Sequence, residues 1–249
     1  MSNPYDIVRQ FEAALCAYTG APYCVTTTSC TAALLLAVAW HLRGVNKWLV
    51  NAEHKIAEVL PKGFPDFRMS MSVEIPSRTY VGVAHSIVNA GGRPVFRRDK
   101  NNWRAAYLLN PLPVWDSARW FTSGIFPRLQ EADGNSRGPD ADTLRRQMVC
   151  VSFHHTKTLG LAAHGGAILH DNKAADSWLR RARFDGRTGG IEPKDDLFDM
   201  PGWHCYMTPS TAAEGLMRLA TLPKHNDPLP WGLGTNSDYP DLSLAPIFK

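Results

Sequence analysis

Cysteine is scarce in this 249-residue chain, and long apolar runs are missing. The five cysteines are odd in number, and no two of them have the C-x-x-C spacing of a zinc or redox motif. A disulfide framework and a zinc site are therefore not predicted, no metal is expected, and a reducing cytoplasm is favoured. The longest apolar run, Ala32 to Trp40, is too short to cross a membrane, and the N-terminus lacks the basic and apolar regions of a signal peptide.

A strong charge of either sign is also missing. Lys and Arg number 27 and Asp and Glu 23, which gives a formal charge of +4 and a pI near 8.8. This small excess suits an anionic substrate, but it lacks the clustered basic face that is typical of nucleic-acid binding. Hydrophobic residues make up 44% and charged residues 20%, which are ordinary values for a soluble globular domain.

Short apolar strands alternate with helical patterns along most of the chain, which predicts an α/β fold with a mixed, mostly parallel sheet flanked by helices. One domain is expected over residues 1–222, followed by an irregular C-terminal tail over 223–249. The first large helix is predicted to end at Gly44, with an irregular connection over 45–70. An exposed loop is predicted over 127–143, and a mobile loop over 186–203.

Polar groups follow four of the predicted strands, where ligands bind in open α/β sheets. Ser29-Cys30-Thr31 begins a helix and is either a phosphate site or an ordinary N-cap. Tyr80 is either a ring that stacks on a flat cofactor or a core residue. Asp116 is either a desolvated functional carboxylate or a cap, and Lys157 is either a nucleophilic amine or a surface residue.

Taken together, these segments resemble a known family. The chain has SCTAALLLA at 29–37, PSRTYVGVAHSIVNAGGRPVF at 76–96, WDSA at 115–118, SFHHTKTLGLAAHGGA at 152–167 and GWHCYMTPSTAA at 202–213. In order and spacing they are similar to S-G-T-A-A-L, P-S-x-T-[FWY], E-D-[AS]-A, S-F-H-x-T-K-x-L-G-x-x-G-D-G-G-A and G-W-N-Y-R-M-x-P of the DegT/StrS sugar aminotransferases. That family has the type I fold and uses pyridoxal 5'-phosphate (PLP).

The resemblance implies a role for each matching residue. Lys157 would hold PLP as an internal aldimine, and Asp116 would pair with the nitrogen of its pyridine ring. Tyr80 would stack on that ring. The phosphate would bind to the turn formed by Ser29, Cys30 and Thr31, and to Ser152.

Several positions depart from the family pattern. Cys30 replaces a glycine, Arg119 replaces a Gln or His that contacts the cofactor's phenolic oxygen, and His164 replaces the acid of G-D-G-G. His204 replaces an asparagine that commonly reaches the phosphate bound to a neighbouring subunit. Only 27 residues follow Leu222, where relatives continue into a small C-terminal domain, so we expect that domain to be largely missing. Such compaction is typical of a viral gene, and a phage origin in host cytoplasm is one expectation.

The resemblance implies a homodimer with shared sites, completed by His204 of each partner, that transfers an amino group to a sugar nucleotide. An alternative is a PLP-dependent decarboxylase or lyase acting on an amino acid, possibly one attached to a bulky anion such as modified phage DNA. A non-catalytic remnant of the fold is a third class, against which the retention of Lys157, Asp116 and Tyr80 argues. Arg119 and Arg187 are candidate contacts for an anionic substrate.

Overall fold

The protein is an α/β structure in which six helices and seven strands are described. The computed structural model describes residues 3–57, 70–98, 105–132, 147–230 and 239–249. The helices are α1 (Asp6–Thr19), α2 (Cys30–Ala57), α3 (Val81–Asn89), α4 (Ile125–Ala132), α5 (Lys173–Ala182) and α6 (Pro209–Thr221). The strands are β1 (Tyr23–Thr27), β2 (Ser72–Pro76), β3 (Arg93–Arg97), β4 (Tyr107–Leu108), β5 (Val114–Ser117), β6 (Met148–Ser152) and β7 (Gly166–His170). No helix in these ranges is both long enough and apolar enough to span a bilayer.

The central sheet is mixed, and the prediction that it is mostly parallel was wrong. Its strand order is β1-β7-β6-β5-β4, and within the described residues only β5 and β6 pair in parallel. A second sheet holds β2 and β3 in parallel. Backbone hydrogen bonds of 2.7 and 3.1 Å between Glu74 and Asn110 link the two sheets.

The short connection between β4 and β5 explains one of the three antiparallel pairs. A parallel pair needs a crossover of about a dozen residues or more, whereas antiparallel neighbours need only a tight turn. Residues 109–113 are five residues long, so β4 must run antiparallel to β5. This pairing sets Tyr107 directly opposite Asp116.

The sheet separates two hydrophobic cores. Alternate residues of β6 face opposite sides, with Cys150 in the core under α2, α3 and α5, and Val149 and Val151 in the core under α1, α4 and α6. Every residue of β6 is buried, which explains why its first four residues, Met148 to Val151, are all apolar.

Two predicted connections are partly helical. Helix α2 continues through Gly44 to Ala57, so the expected stop at that glycine was wrong. A glycine inside a helix costs only about 1 kcal/mol relative to alanine, which does not by itself end a helix. Residues 127–132 belong to α4, and the rest of both predicted loops lies largely outside the described residues.

The segment from 186 to 203 contains a 3-10 turn at Pro193–Asp195 and is tied back to α5 at both ends. The Gly186 amide donates to the Arg181 carbonyl and the Trp203 amide to the Ala182 carbonyl, at 2.9 and 2.6 Å. Inside the segment, the Thr188 amide donates to the Asp196 carboxylate at 2.7 Å.

The C-terminal segment folds back onto the domain. Residues 223–230 lie along α1 and the turn after β5, where the Trp120 indole N–H donates to the Asn226 carbonyl at 3.0 Å. Further on, the Leu242 amide donates to the Ser77 carbonyl at 2.8 Å, and the Leu242 side chain is buried. In its described residues, 223–230 and 239–249, the segment has two 3-10 turns, Leu242–Leu244 and Pro246–Phe248.

A buried ion cluster around Glu12 joins α1 to β1 and to α5. Its carboxylate accepts hydrogen bonds from Arg180 and Arg183 at 2.6 and 2.5 Å, and from the Thr26 amide and hydroxyl. Burial raises the pKa of Glu12, but the two guanidinium groups and the Thr26 amide outweigh it, so the net pKa is lowered.

Replacing Glu12 with Gln should therefore reduce the free energy of unfolding at pH 7 by about 3 kcal/mol, because the half-buried Arg183 guanidinium loses its counter-charge and Arg180 is left with Asp176 alone. This is the lower end of the usual range, since the Arg180 side chain is 35% exposed. Because the folded-state pKa of Glu12 is lowered, its contribution is complete above the unfolded value of about 4.3 and is lost as the pH falls through the folded value. Urea unfolding of both proteins from pH 7 downward would measure the gap, which should narrow with acid. A gap that does not change with pH would contradict the assignment.

Candidate active site

A cavity of about 540 Å³ opens where β5, β6 and the N-terminus of α2 meet. Its size is typical of small-molecule sites. The lining includes eight residues that the sequence analysis selected: Ser29, Cys30, Thr31, Tyr80, Asp116, Arg119, Ser152 and Lys157. Segments that are up to 128 positions apart in sequence therefore form one site.

One wall is the N-terminus of α2. The Ser29 hydroxyl accepts a hydrogen bond from the Ala32 amide at 3.1 Å, so Ser29 caps the helix as well as lining the cavity. Gly166 at the start of β7 packs against this turn so closely that an added Cβ would lie 2.5 Å from backbone atoms of Ser29 and Cys30. Only glycine permits this approach, which fixes the free amides of the helix end at the cavity wall. Such an end, with its positive dipole, is suited to an anion.

Asp116 lies at the floor of the cavity and is 3% exposed. Its carboxylate accepts hydrogen bonds from the Tyr107 hydroxyl at 2.7 Å and from the Ala118 amide at 2.9 Å. Tyr107 in turn shares a 2.7 Å hydrogen bond with Thr79. Burial raises the pKa of Asp116, and the hydrogen bonds from Tyr107 and Ala118 together with the charge of Lys157 offset only part of that rise. A cation or donor in the cavity would lower this cost, so the site is built to receive one.

Lys157 lies in the connection between β6 and β7, and its amide donates to the His154 carbonyl at 2.8 Å. Burial lowers the pKa of its amine, and the nearby charge of Arg119 lowers it further, while Asp116 acts in the opposite direction. A desolvated amine whose pKa is lowered is more often unprotonated and hence nucleophilic. Ser152, at the end of β6, accepts a 3.4 Å contact from the His154 amide beside it.

Arg119 is 1% exposed and binds the C-terminal segment. Its Nη2 donates to the carbonyls of Leu229 and Pro230 at 2.5 and 2.9 Å, and the Leu229 amide donates back to the Arg119 carbonyl. Arg119 thus has a structural role that sequence reasoning missed. Its predicted contacts with cofactor and substrate stay predictions.

Tyr239 is a site residue that the sequence gave no signal for, since it lies in a stretch without periodicity. It lines the cavity, with its ring 6.2 Å from that of Tyr80 and tilted by 54°. Arg78 holds its backbone by donating to the Tyr239 carbonyl at 2.8 Å. Burial raises the pKa of the Tyr239 phenol to about 12, so it stays protonated and able to donate a hydrogen bond. The C-terminal segment therefore completes the cavity wall.

Two predicted residues lie outside the cavity of their own chain. The His204 ring is 72% exposed, and its Nδ1 lies 2.8 Å from an Asp185 carboxylate oxygen. The Arg187 guanidinium lies over the Phe184 ring, 4.8 Å from its centroid. Neither residue contributes to the cavity lining, so their predicted roles in cofactor and substrate binding stay predictions.

Comparison with known proteins identifies the family of this chain. The model of the DegT/DnrJ/EryC1/StrS aminotransferase family matches residues 1–50 and 143–228, which together are more than half of the chain. The chain belongs to this family. The resemblance read from the sequence is thereby confirmed, and the matched ranges contain Ser29, Thr31, Ser152 and Lys157. No curated protein sequence matches the chain.

Solved structures show that the fold is that of the PLP-dependent aminotransferases. S. venezuelae DesV, bound to a ketimine intermediate, matches with 19% identity and a TM-score of 0.55, over 89% of this chain and 57% of DesV. NtdA from Bacillus subtilis, with the bound cofactor PMP, matches with 19% identity and a TM-score of 0.56, over 89% of this chain and 49% of NtdA. Helicobacter pylori PseC, an aminotransferase involved in pseudoaminic acid biosynthesis, matches with 16% identity and a TM-score of 0.52, over 87% of this chain and 58% of PseC. The chain thus spans about half to three fifths of the length of these three proteins.

The close packing of Gly166 against α2 generates a prediction. Gly166→Ala should push the Ser29-Cys30 turn away from β7, because an added Cβ cannot approach backbone atoms at 2.5 Å. We expect a large loss of affinity for a phosphate-bearing ligand of the cavity, measured by fluorescence titration with pyridoxal 5'-phosphate, and a smaller loss of thermal stability. Gly189→Ala is the matched control, since an added Cβ there meets no atom within 4 Å. Equal affinities for the two variants would argue against an anion site at α2.

Proposed function

We propose that this protein is a PLP-dependent aminotransferase that acts on a sugar nucleotide. The observation that carries the proposal is a single cavity that brings together the Lys157 amine, the buried Asp116 carboxylate and the open N-terminus of α2. Membership of an aminotransferase family supports the reaction type, and the comparisons do not favour the decarboxylase or lyase alternative.

The residues present fit the cofactor. The turn held by Gly166 offers amides and the Ser29 and Thr31 hydroxyls to a phosphate, and Ser152 adds a third hydroxyl. Among the described contacts, the hydrogen-bond donors to the Asp116 carboxylate are both neutral: the Tyr107 hydroxyl and the Ala118 amide. Tyr80, 53% exposed at the cavity rim, offers an aromatic face. When bound, PLP supplies an electron sink for the carbon from which a proton is removed.

The side chains of this chain then have distinct tasks. Asp116 holds negative charge at the floor of the cavity, where it would keep a ring nitrogen protonated. Tyr107 and Ala118 keep the carboxylate oriented and partly compensate its desolvation. The Lys157 amine, with its lowered pKa, would hold the cofactor through its aldehyde carbon, with loss of water, and after its release would carry a proton to and from the substrate at Nζ.

The substrate that we propose is an anion, which suits the net positive charge of the chain. Sugar nucleotides carry a diphosphate, and the chain has a formal charge of +4. Arg119 and Arg187 remain the candidate contacts for those phosphates. For Arg119, the bonds from Nη2 to the Leu229 and Pro230 carbonyls already fix the position of the guanidinium group.

We further propose a homodimer in which His204 approaches the phosphate region of the partner's site. The support is that His204 is largely exposed and lies outside its own cavity, while the segment that carries it is held firmly by the 3.0 Å bond from the Cys205 amide to the Arg183 carbonyl. A cytoplasmic location and a phage origin are carried forward from the sequence as proposals.

Covalent attachment is tested first. Borohydride reduction of the protein loaded with PLP, followed by peptide mass mapping, should label Lys157 and no other lysine. Lys157→Ala should abolish the label and the visible absorption, whereas Lys173→Ala, an exposed change in α5, should leave both unchanged. Labelling at another lysine would contradict the site.

The reaction is tested with amino donors. Incubation of the loaded protein with glutamate should convert bound PLP to its amine form, which a keto-sugar nucleotide should then return to the aldehyde form. Mass analysis of the small-molecule products distinguishes this outcome from loss of carbon dioxide, which would favour the alternative.

Asp116→Asn should have opposite effects on stability and on turnover. Because burial raises the pKa of Asp116, its ionised form costs folding free energy in the cofactor-free protein. The variant without PLP should therefore melt at the same temperature as the natural protein or higher, while its turnover falls roughly 100-fold or more, a loss of about 3 kcal/mol in transition-state stabilisation. A variant that melts earlier yet retains turnover would make Asp116 a structural cap.

A further inference from the structure

Three histidines cluster at the edge of the cavity, and the proposed function uses none of them. His154, His155 and His164 each offer one ring nitrogen, and these three atoms lie within 4.8 Å of one another. The ring centroid of His154 lies 4.0 Å from that of His155 and 4.5 Å from that of His164. His154 is partly buried, while His155 and His164 are exposed.

The local backbone brings these rings together. His154 and His155 directly follow β6, and the Leu161 amide donates to the Phe153 carbonyl at 2.8 Å, which closes the connection into a loop. His164 then turns back towards His154 with a φ of 65°, in the left-handed region that non-glycine residues seldom occupy. A strained residue therefore directs this ring to the cluster.

One ring of the cluster is already oriented. His154 Nδ1 lies 2.9 Å from the Thr156 hydroxyl and accepts a 3.3 Å hydrogen bond from the Thr156 amide, so Thr156 holds this side of the ring and Nε2 is the nitrogen that faces away from it. In metal sites, a histidine that binds through one nitrogen usually has the other held by a hydrogen bond, which fixes the direction of the ring. Thr156 has that position here.

We propose that His154, His155 and His164 bind a divalent transition-metal ion of the Zn²⁺ class at the edge of the cavity. Three imidazoles are a preferred donor set for Zn²⁺, Co²⁺, Ni²⁺ and Cu²⁺, whereas Mg²⁺ and Ca²⁺ require oxygen ligands. Tetrahedral Zn–N bonds of about 2.1 Å place the ligand nitrogens about 3.4 Å apart, so the rings must close inward by roughly 1 Å. The His155 and His164 rings are exposed, which leaves room for this rotation.

The ion would have a coordination position available to the cavity. His154 and His164 line the cavity that contains Lys157, whereas His155 does not, so the ion would lie between the cavity and solvent. Three protein ligands leave a fourth position for water or for an anionic oxygen of a bound molecule. This site is independent of the proposed reaction, since its ligands are separate from Lys157 and Asp116.

The test uses Co²⁺ as a spectroscopic probe on the full-length protein, dialysed against chelator and free of PLP, because PLP itself binds metal ions. We expect one equivalent of Co²⁺ to bind with the strong visible absorption of a tetrahedral nitrogen site, Zn²⁺ to displace it, and Mg²⁺ and Ca²⁺ to have no effect. His155→Ala and His164→Asn should each abolish the absorption and the stoichiometric binding. Asparagine is chosen at 164 because it tolerates the left-handed backbone.

His225→Ala is the matched control, since His225 is an exposed histidine outside the cluster and is paired with Asp227. It should bind Co²⁺ as the natural protein does. Circular dichroism and thermal melting of each variant verify that it is folded. Absence of stoichiometric binding to the natural protein, or binding that survives in both cluster variants, would overturn the proposal, and neither result would bear on the covalent attachment of PLP to Lys157.

Discussion

A carboxylate buried at the floor of the cavity is the constraint on which the rest of the site depends. Asp116 is 3% exposed, and an ionised group at such a position is costly unless the protein supplies donors. The donors come from two neighbours of different origin, the Tyr107 hydroxyl of the adjacent strand and the Ala118 amide of the following turn. Thr79 extends the network to the connection after β2.

The reversed direction of β4 makes that network possible. Because five residues connect β4 to β5, the two strands form a hairpin, and the register places Tyr107 opposite Asp116. A crossover helix in this connection would have allowed a parallel strand with a different register. The short connection between β4 and β5 thus allows the Tyr107 phenol to donate a hydrogen bond directly to the Asp116 carboxylate at the floor of the cavity.

Sequence reasoning selected eight residues that line the cavity, because their motifs are local in sequence. Asp116 lies near the end of β5, and Ser29, Tyr80 and Lys157 each follow a strand. The spacing of these motifs indicates the family. What sequence reasoning missed depends on contacts that are distant in sequence. The passage of α2 through Gly44, the direction of β4 and the position of Tyr239 are decided by packing and by connection lengths, which carry little periodic signal. The histidine cluster has no sequence signal of its own, because His164 reaches the other two rings only through a left-handed turn.

The segment 223–230 is recognised through its main chain. Trp120, Thr122 and Arg119 all donate to its carbonyl oxygens, at residues 226, 224 and 229–230 respectively. Because proline lacks an N–H but retains its carbonyl, Pro228 and Pro230 can stiffen this path without losing an acceptor. Apart from Asn226, whose side-chain amide donates to the Tyr18 hydroxyl at 2.8 Å, the side chains along this segment can therefore be exchanged without losing these bonds. Inserting or removing a single residue would shift every carbonyl out of register, so length rather than composition is the inherited property here.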